Sequence, residues 1–134
     1  MITAATCLAM AIYYETRNET HPDAGLAVAE VIINRVEDKR WPDSVCAVVK
    51  QDKGPKDHDC QFSFYCDGKP ERPKHKEAWQ KAQESAAQAL DGNLLGHGAL
   101  YYHADYAQPV WRHKLDMLGK VGTHIFYKDP EVSV

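Results

Sequence analysis

The chain has 134 residues, of which 44% are hydrophobic and 26% charged, and its formal net charge is -3. That make-up fits one globular domain with a core of its own, and the weak negative balance argues against a nucleic-acid partner. No run approaches the roughly 20 apolar residues of a membrane-spanning helix, and no basic residue precedes the apolar N-terminal run as in a secretory signal peptide.

Thr3 to Arg17 is the first predicted helix. Leu8, Ala11, Ile12 and Glu15 recur at i, i+3, i+4 and i+7, so Glu15 extends the apolar stripe rather than the solvent face. His21-Pro22-Asp23 interrupts the chain and opens a second helix, with Leu26, Ala29, Ile33 and Val36 as its buried stripe. Trp41-Pro42 makes a turn, and Ser44 caps a short helix ending at Lys50. Residues 51–73 lack periodicity and read as a long loop. Within it, Cys60-Gln61-Phe62-Ser63-Phe64-Tyr65-Cys66 forms an island expected to dock onto the body. A third long helix runs from His75 to Leu90, with Trp79, Ala82, Ala86, Ala89 and Leu90 inward, and Gly92 ends it. The basic residues from Lys69 to Lys81 read as a solvated face. Residues 99–104 and 124–127 are two short strands that pair beside the helices, with Trp111 in the loop after Pro109. Helices first and strands last describe a mainly helical α+β domain, without an internal repeat or domain boundary.

Four cysteines are present. Cys7 lies inside the first helix and reads as a small buried thiol. Cys46, Cys60 and Cys66 bunch around the long loop, where two can join in a disulfide in an oxidising compartment or all can stay free. Zinc on these three with His58 is disfavoured, because no C-x-x-C pair exists. Neither a metal nor a cofactor is expected.

Burial of Glu15 would raise its pKa, and a carboxylic acid kept protonated is what glycoside cleavage requires. Spacing alone also allows the commoner fate of a helix-end carboxylate, in solvent or paired with Arg17 or Arg35. Tyr13, Tyr14, Phe62, Tyr65, Tyr101, Tyr102, Trp111 and Tyr127, interleaved with Gln61 and Ser63, suit the apolar faces and polar edges of sugars. Filling a small core is the simpler use of each. His103, His113 and His124 fit hydrogen-bonding roles, since no H-E-x-x-H or G-x-S-x-G motif accompanies them. Two rival readings stand. Cys60 or Cys66 with His103 and Asp105 would make a cysteine peptidase or amidase, although no helix N-terminus lies near to activate the thiol. The same aromatic residues would also serve a sugar-binding module without catalysis.

The blocks "LAMAIYYETRNE", "GLAVAEVIINRV", "VCAVV", "CQFSFYCDG", "ALYYHADYAQPVW" and "VGTHIFY" occur in order from Ala4 to Tyr127. In them the chain resembles the spore-cortex-lytic type of cell-wall hydrolase, the SleB-like catalytic domain. The resemblance implies a lysozyme-like, lytic-transglycosylase-like fold with a small β-sheet. It also implies cleavage of peptidoglycan glycan strands between N-acetylmuramic acid and N-acetylglucosamine. Glu15 matches the family's catalytic glutamate; Gln61, Phe62, Ser63, Tyr102, His103, Trp111 and His124 match blocks expected to line the substrate cleft. Thr16 and Asn18 depart from the family's more usual Glu-Ala-Arg-Gly-Glu. A lone catalytic carboxylate implies a lytic transglycosylase, whereas a second one, Glu19 or Asp105, would imply a hydrolytic muramidase. The expectation is a monomeric catalytic module over 1–134 with no separate wall-binding domain. It would act at the cell wall or periplasm, as a mature form or as a phage endolysin released by another route.

Overall fold

A computed structural model describes residues 3–51 and 73–130. Four helices, α1 (Ala4–Thr16), α2 (Ala24–Val36), α3 (Val45–Val49) and α4 (Lys76–Leu90), precede three strands, β1 (Tyr101–Ala104), β2 (Asp116–Val121) and β3 (His124–Lys128). A 3-10 turn over Val110–Lys114 separates β1 from β2. The predicted mainly helical α+β order is therefore present, with one strand more than expected.

α1 is the central element. The sequence suggests a single stripe, but every residue from Cys7 to Tyr13 is buried, as in a helix surrounded by partners. α2, α3 and α4 supply those partners with Val28, Val31, Ile32, Val48, Val49, Ala82, Ala86 and Ala89. Gly25 permits a close approach: a Cβ there would lie 3.0 Å from Ile12 and 3.1 Å from Ser85. Thr3 and Ser44 cap α1 and α3, accepting from the amides of Thr6 and Ala47. α4 has no side-chain cap of its own. The Tyr13 hydroxyl instead accepts from the Lys74 and His75 amides, at 3.0 Å each.

Cys7 is not a free thiol. It is bonded to Cys46 across α1 and α3, with Cα atoms 5.2 Å apart. This corrects the reading of Cys7 and removes Cys46 as a partner for Cys60 or Cys66, both of which lie outside the described residues. The two half-cystines are 39 positions apart, and a link closing that much chain stabilises by about 4 kcal/mol in the chain-entropy picture. Leu90, expected on the inner face of α4, is 41% exposed at the helix end.

The sheet has the order β1-β3-β2 and is antiparallel throughout. β2 carries no apolar alternation because it is an edge strand largely in solvent, with Met117 66% exposed. A bulge between Met117 and Gly119 breaks its register. It joins β3 through a two-residue turn, Gly122-Thr123, in which Gly122 has φ +59°, the left-handed value such hairpins favour.

Candidate active site

Three side chains of α2 fix the approach to the sheet. Glu30 accepts from the amides of Gly96 at 2.8 Å and Gly98 at 2.9 Å. Asn34 donates to the Ala99 carbonyl and Arg35 Nε to the Leu100 carbonyl. His97 completes the clamp. Its Nε2 faces the Ala27 carbonyl, which only accepts, so that nitrogen carries the proton; Nδ1 then accepts from the Ala99 amide. A neutral ring therefore sits 3.4 Å from Glu30, and the contact is not an ion pair.

β1 leaves this clamp with its side chains alternating between two faces. The register pairs Tyr102 with Phe126 and Ala104 with His124, while Tyr101 pairs with Tyr127. Tyr102, Phe126 and His124 thus share one face, where Tyr102 stacks on Phe126 at 5.7 Å and meets His124 edge-on at 5.5 Å. Tyr101, His103 and Tyr127 share the other, and Trp111 packs against all three. Through Nδ1, His103 donates to the Ala104 carbonyl, and its Nε2 accepts from the Tyr127 hydroxyl at 2.8 Å.

The first face closes over the end of α1. There Tyr14, Glu15, Asn18, Glu19, Tyr102 and His124 line a cleft of about 580 Å³. Loss of solvation pushes the Glu15 carboxyl above its ordinary 4.5, and a hydrogen bond from the Tyr102 hydroxyl partly opposes this. Burial, and then the nearby Glu15 charge, raise Tyr102 well above the usual tyrosine range, so it stays a donor. Thr16, beside the carboxylate, spends its hydroxyl on the Ile12 carbonyl of its own helix at 2.6 Å.

Glu19 borders the same cleft in a different state. Its Oε2 accepts from the Thr123 amide at 2.7 Å and hydroxyl at 2.6 Å, and its Oε1 from the amides of Thr20 and His21. The Thr123 hydroxyl leads the interactions that hold its pKa below 4.5. The tie needs glycine at 122, because a Cβ there would collide with the carboxylate. Asp105, the other alternative carboxylate, forms an ion pair with Lys120 at 3.0 Å. Burial lowers the His124 pKa against the opposing charges of Glu19 and Asp105. Its Nδ1 is buried without a hydrogen-bond partner, 3.9 Å from Glu19.

Of the residues expected at the site, the fold gathers Glu15, Tyr102 and His124. His103 reaches the rim of the cleft, but its ring belongs to the opposite face with Trp111, which does not line the cleft. Gln61, Phe62 and Ser63 lie outside the described residues. Asn18, Tyr106 and Thr123 also line the cleft and escaped the sequence reading; Tyr106, 87% exposed, was legible only as an aromatic beside an expected strand end. Among the described residues no three potential metal ligands cluster, and no helix is long and apolar enough to cross a membrane.

A family model described as Cell Wall Hydrolase matches residues 19–127. The chain belongs to the cell wall hydrolase family. Among its relatives, the spore cortex-lytic enzyme of Oceanobacillus iheyensis is 30% identical over 126 residues, which are 90% of this chain and 40% of that protein. The Bacillus subtilis spore cortex-lytic enzyme is 29% identical over 89% of this chain and 35% of its own length. The chain therefore spans about two fifths or less of these relatives. The catalytic domain of the germination-specific lytic transglycosylase SleB from Bacillus anthracis superposes with a TM-score of 0.75 at 28% identity, covering 93% of each chain. The Bacillus cereus SleB catalytic domain does so equally well, over 93% of this cell wall hydrolase and 89% of that chain.

Proposed function

We propose that the chain cleaves the glycan strand of peptidoglycan between N-acetylmuramic acid and N-acetylglucosamine as a lytic transglycosylase, with Glu15 as general acid and then base. The observation that carries this reading is the Glu15 carboxyl: partly buried at the end of α1, raised in pKa by desolvation, and lining a cleft of about 580 Å³. In its neutral form Glu15 donates a proton to the glycosidic oxygen, and the bond breaks through an oxocarbenium-like state. The resulting carboxylate is stabilised by the Tyr102 hydroxyl. It then takes the proton of the sugar's own 6-hydroxyl as that oxygen closes on the anomeric carbon, giving a 1,6-anhydro product. The substrate's own nucleophile suits this cleft, because Glu19 and Asp105 are committed to Thr123 and Lys120. The fold likeness to a domain named as a lytic transglycosylase supports the same route.

The reading places the chain at the cell wall, as a monomer acting on glycan strands. Mass spectrometry of digested peptidoglycan tests it. Anhydro-muramyl fragments are the expected product. Fragments heavier by one water would make the enzyme a muramidase, free peptide stems an amidase, and wall binding without fragments a carbohydrate-binding module.

A further inference from the structure

A second groove, of about 450 Å³, runs between the end of α1 and α4. It shares Arg17 and Glu19 with the cleft, so the two open onto a common rim. The α4 wall is a polar stripe, Glu77, Lys81, Glu84, Ser85 and Gln88, at the i, i+4, i+7, i+8 and i+11 positions of one helix face. Ala78 and Ala82 also line the groove, where Ala82, with Ala86 and Ala89, passes into the core. A solvated helix surface with Glu77 and Lys81 four apart would be expected to pair them. Among the described residues, however, no ion pair engages Arg17, Glu77, Lys81 or Glu84. Arg17 lies over the rings of Tyr13 and Tyr14. Among the described residues the groove therefore sets two cations, Arg17 and Lys81, near three carboxylates with no ion pair among them: Glu19 is tied to Thr123, Glu84 accepts from the Gln80 side-chain amide at 3.4 Å, and Glu77 completes the set.

Such a lining is complementary to a short zwitterionic peptide. The proposed reaction supplies one at this place. In a muramic acid–glucosamine cleavage the muramic acid sits directly beside Glu15, and its lactyl group carries the peptide stem. That substituent must leave the cleft next to the reacting bond. We propose that the α1–α4 groove is the subsite for this stem, with Lys81 and Arg17 facing its carboxylates and Glu77 and Glu84 facing the amine of its diamino acid. The proposal rests on the glycan-cleavage reading, and its test is independent of turnover.

A free stem peptide, L-alanine–D-isoglutamate–diamino acid–D-alanine, is titrated into the ¹⁵N-labelled Glu15→Gln protein. Saturable shifts centred on Glu77, Lys81 and Glu84, lost in Lys81→Glu, are the expected result. No saturable binding, or shifts confined to the Glu15 cleft, would overturn the subsite whether or not the enzyme cleaves glycan. Kinetically, the wild-type preference for stem-bearing over amidase-stripped strands should fall about two- to five-fold in Lys81→Glu, the scale of one partly exposed charge pair. Gln83→Ala, one residue off the stripe, should keep that preference. An equal preference in Lys81→Glu and wild type would overturn the assignment. Failure of the wild type to cleave either substrate would instead defeat the parent reading, with the titration still deciding the groove.

Discussion

The floor of the cleft and the tie to the β2–β3 hairpin place two carboxylates four residues apart at the end of α1, and treat them in opposite ways. Glu19 accepts four hydrogen bonds, three from backbone amides and one from a hydroxyl, and is held below its ordinary pKa. Glu15 has lost solvent and gained mainly the Tyr102 hydroxyl, and it is held above. Glu30, buried in α2, also accepts from two backbone amides, those of Gly96 and Gly98. A desolvated carboxylate with enough donors becomes a structural anion. One with too few is driven toward the neutral acid that proton donation needs.

Substitutions can break this contrast, and the largest effect is expected at Glu15. Glu15→Gln keeps the shape and removes the proton, so fragment release should fall by about 10²- to 10⁴-fold. The same change should raise stability at neutral pH. The folded protein binds this proton more tightly than the unfolded chain, so stability falls as pH rises from about 4.5 through the folded pKa. Thermal melts at pH 4.5 and 7 would reveal a gain confined to the higher pH. Glu30→Ala strands the amides of Gly96 and Gly98 and frees the loop that feeds β1; chemical denaturation should show a loss of about 3 kcal/mol.

Glu19→Ala is milder because Thr123 is exposed, and about 1–2 kcal/mol is expected. Its pH signature is the reverse of Glu15's. A carboxylate with a lowered pKa stabilises fully above its unfolded value near 4.5, and that contribution disappears as pH falls through the folded pKa. Acid-unfolding curves of Glu19→Ala should therefore converge with the parent at low pH. The subtlest change is Tyr102→Phe. Without the donor that lowers its pKa, Glu15 should hold its proton to higher pH, and the alkaline limb of the pH–rate profile should move upward. A limb moving downward would mean that Tyr102 does not donate to Glu15.

Local signals in the sequence carried the helices well. The period of α1, the Ser44 cap and the end of α4 near Gly92 all depend on residues within a turn or two of one another. β2 was illegible because an exposed, bulged edge strand has no buried face to impose alternation. The Cys7–Cys46 bond joins elements whose proximity only the packing of α3 on α1 creates. Glu30 gave no sign because its partners are backbone amides 66 and 68 positions away. The site divided in the same way. Glu15 was visible from its place on the apolar stripe, with its role supplied by the resemblance. The separation of Tyr102 and His124 from His103 and Trp111 needed the β1–β3 register.

The contrast at the end of α1 is tested most directly by following the side-chain carboxyl carbons of Glu15 and Glu19 through a ¹³C NMR titration of the intact protein. The account predicts a midpoint above 4.5 for Glu15 and below 4.5 for Glu19. A Glu15 midpoint at or below that of Glu19 would contradict it, because the proposed proton donor would then be an ordinary charged carboxylate.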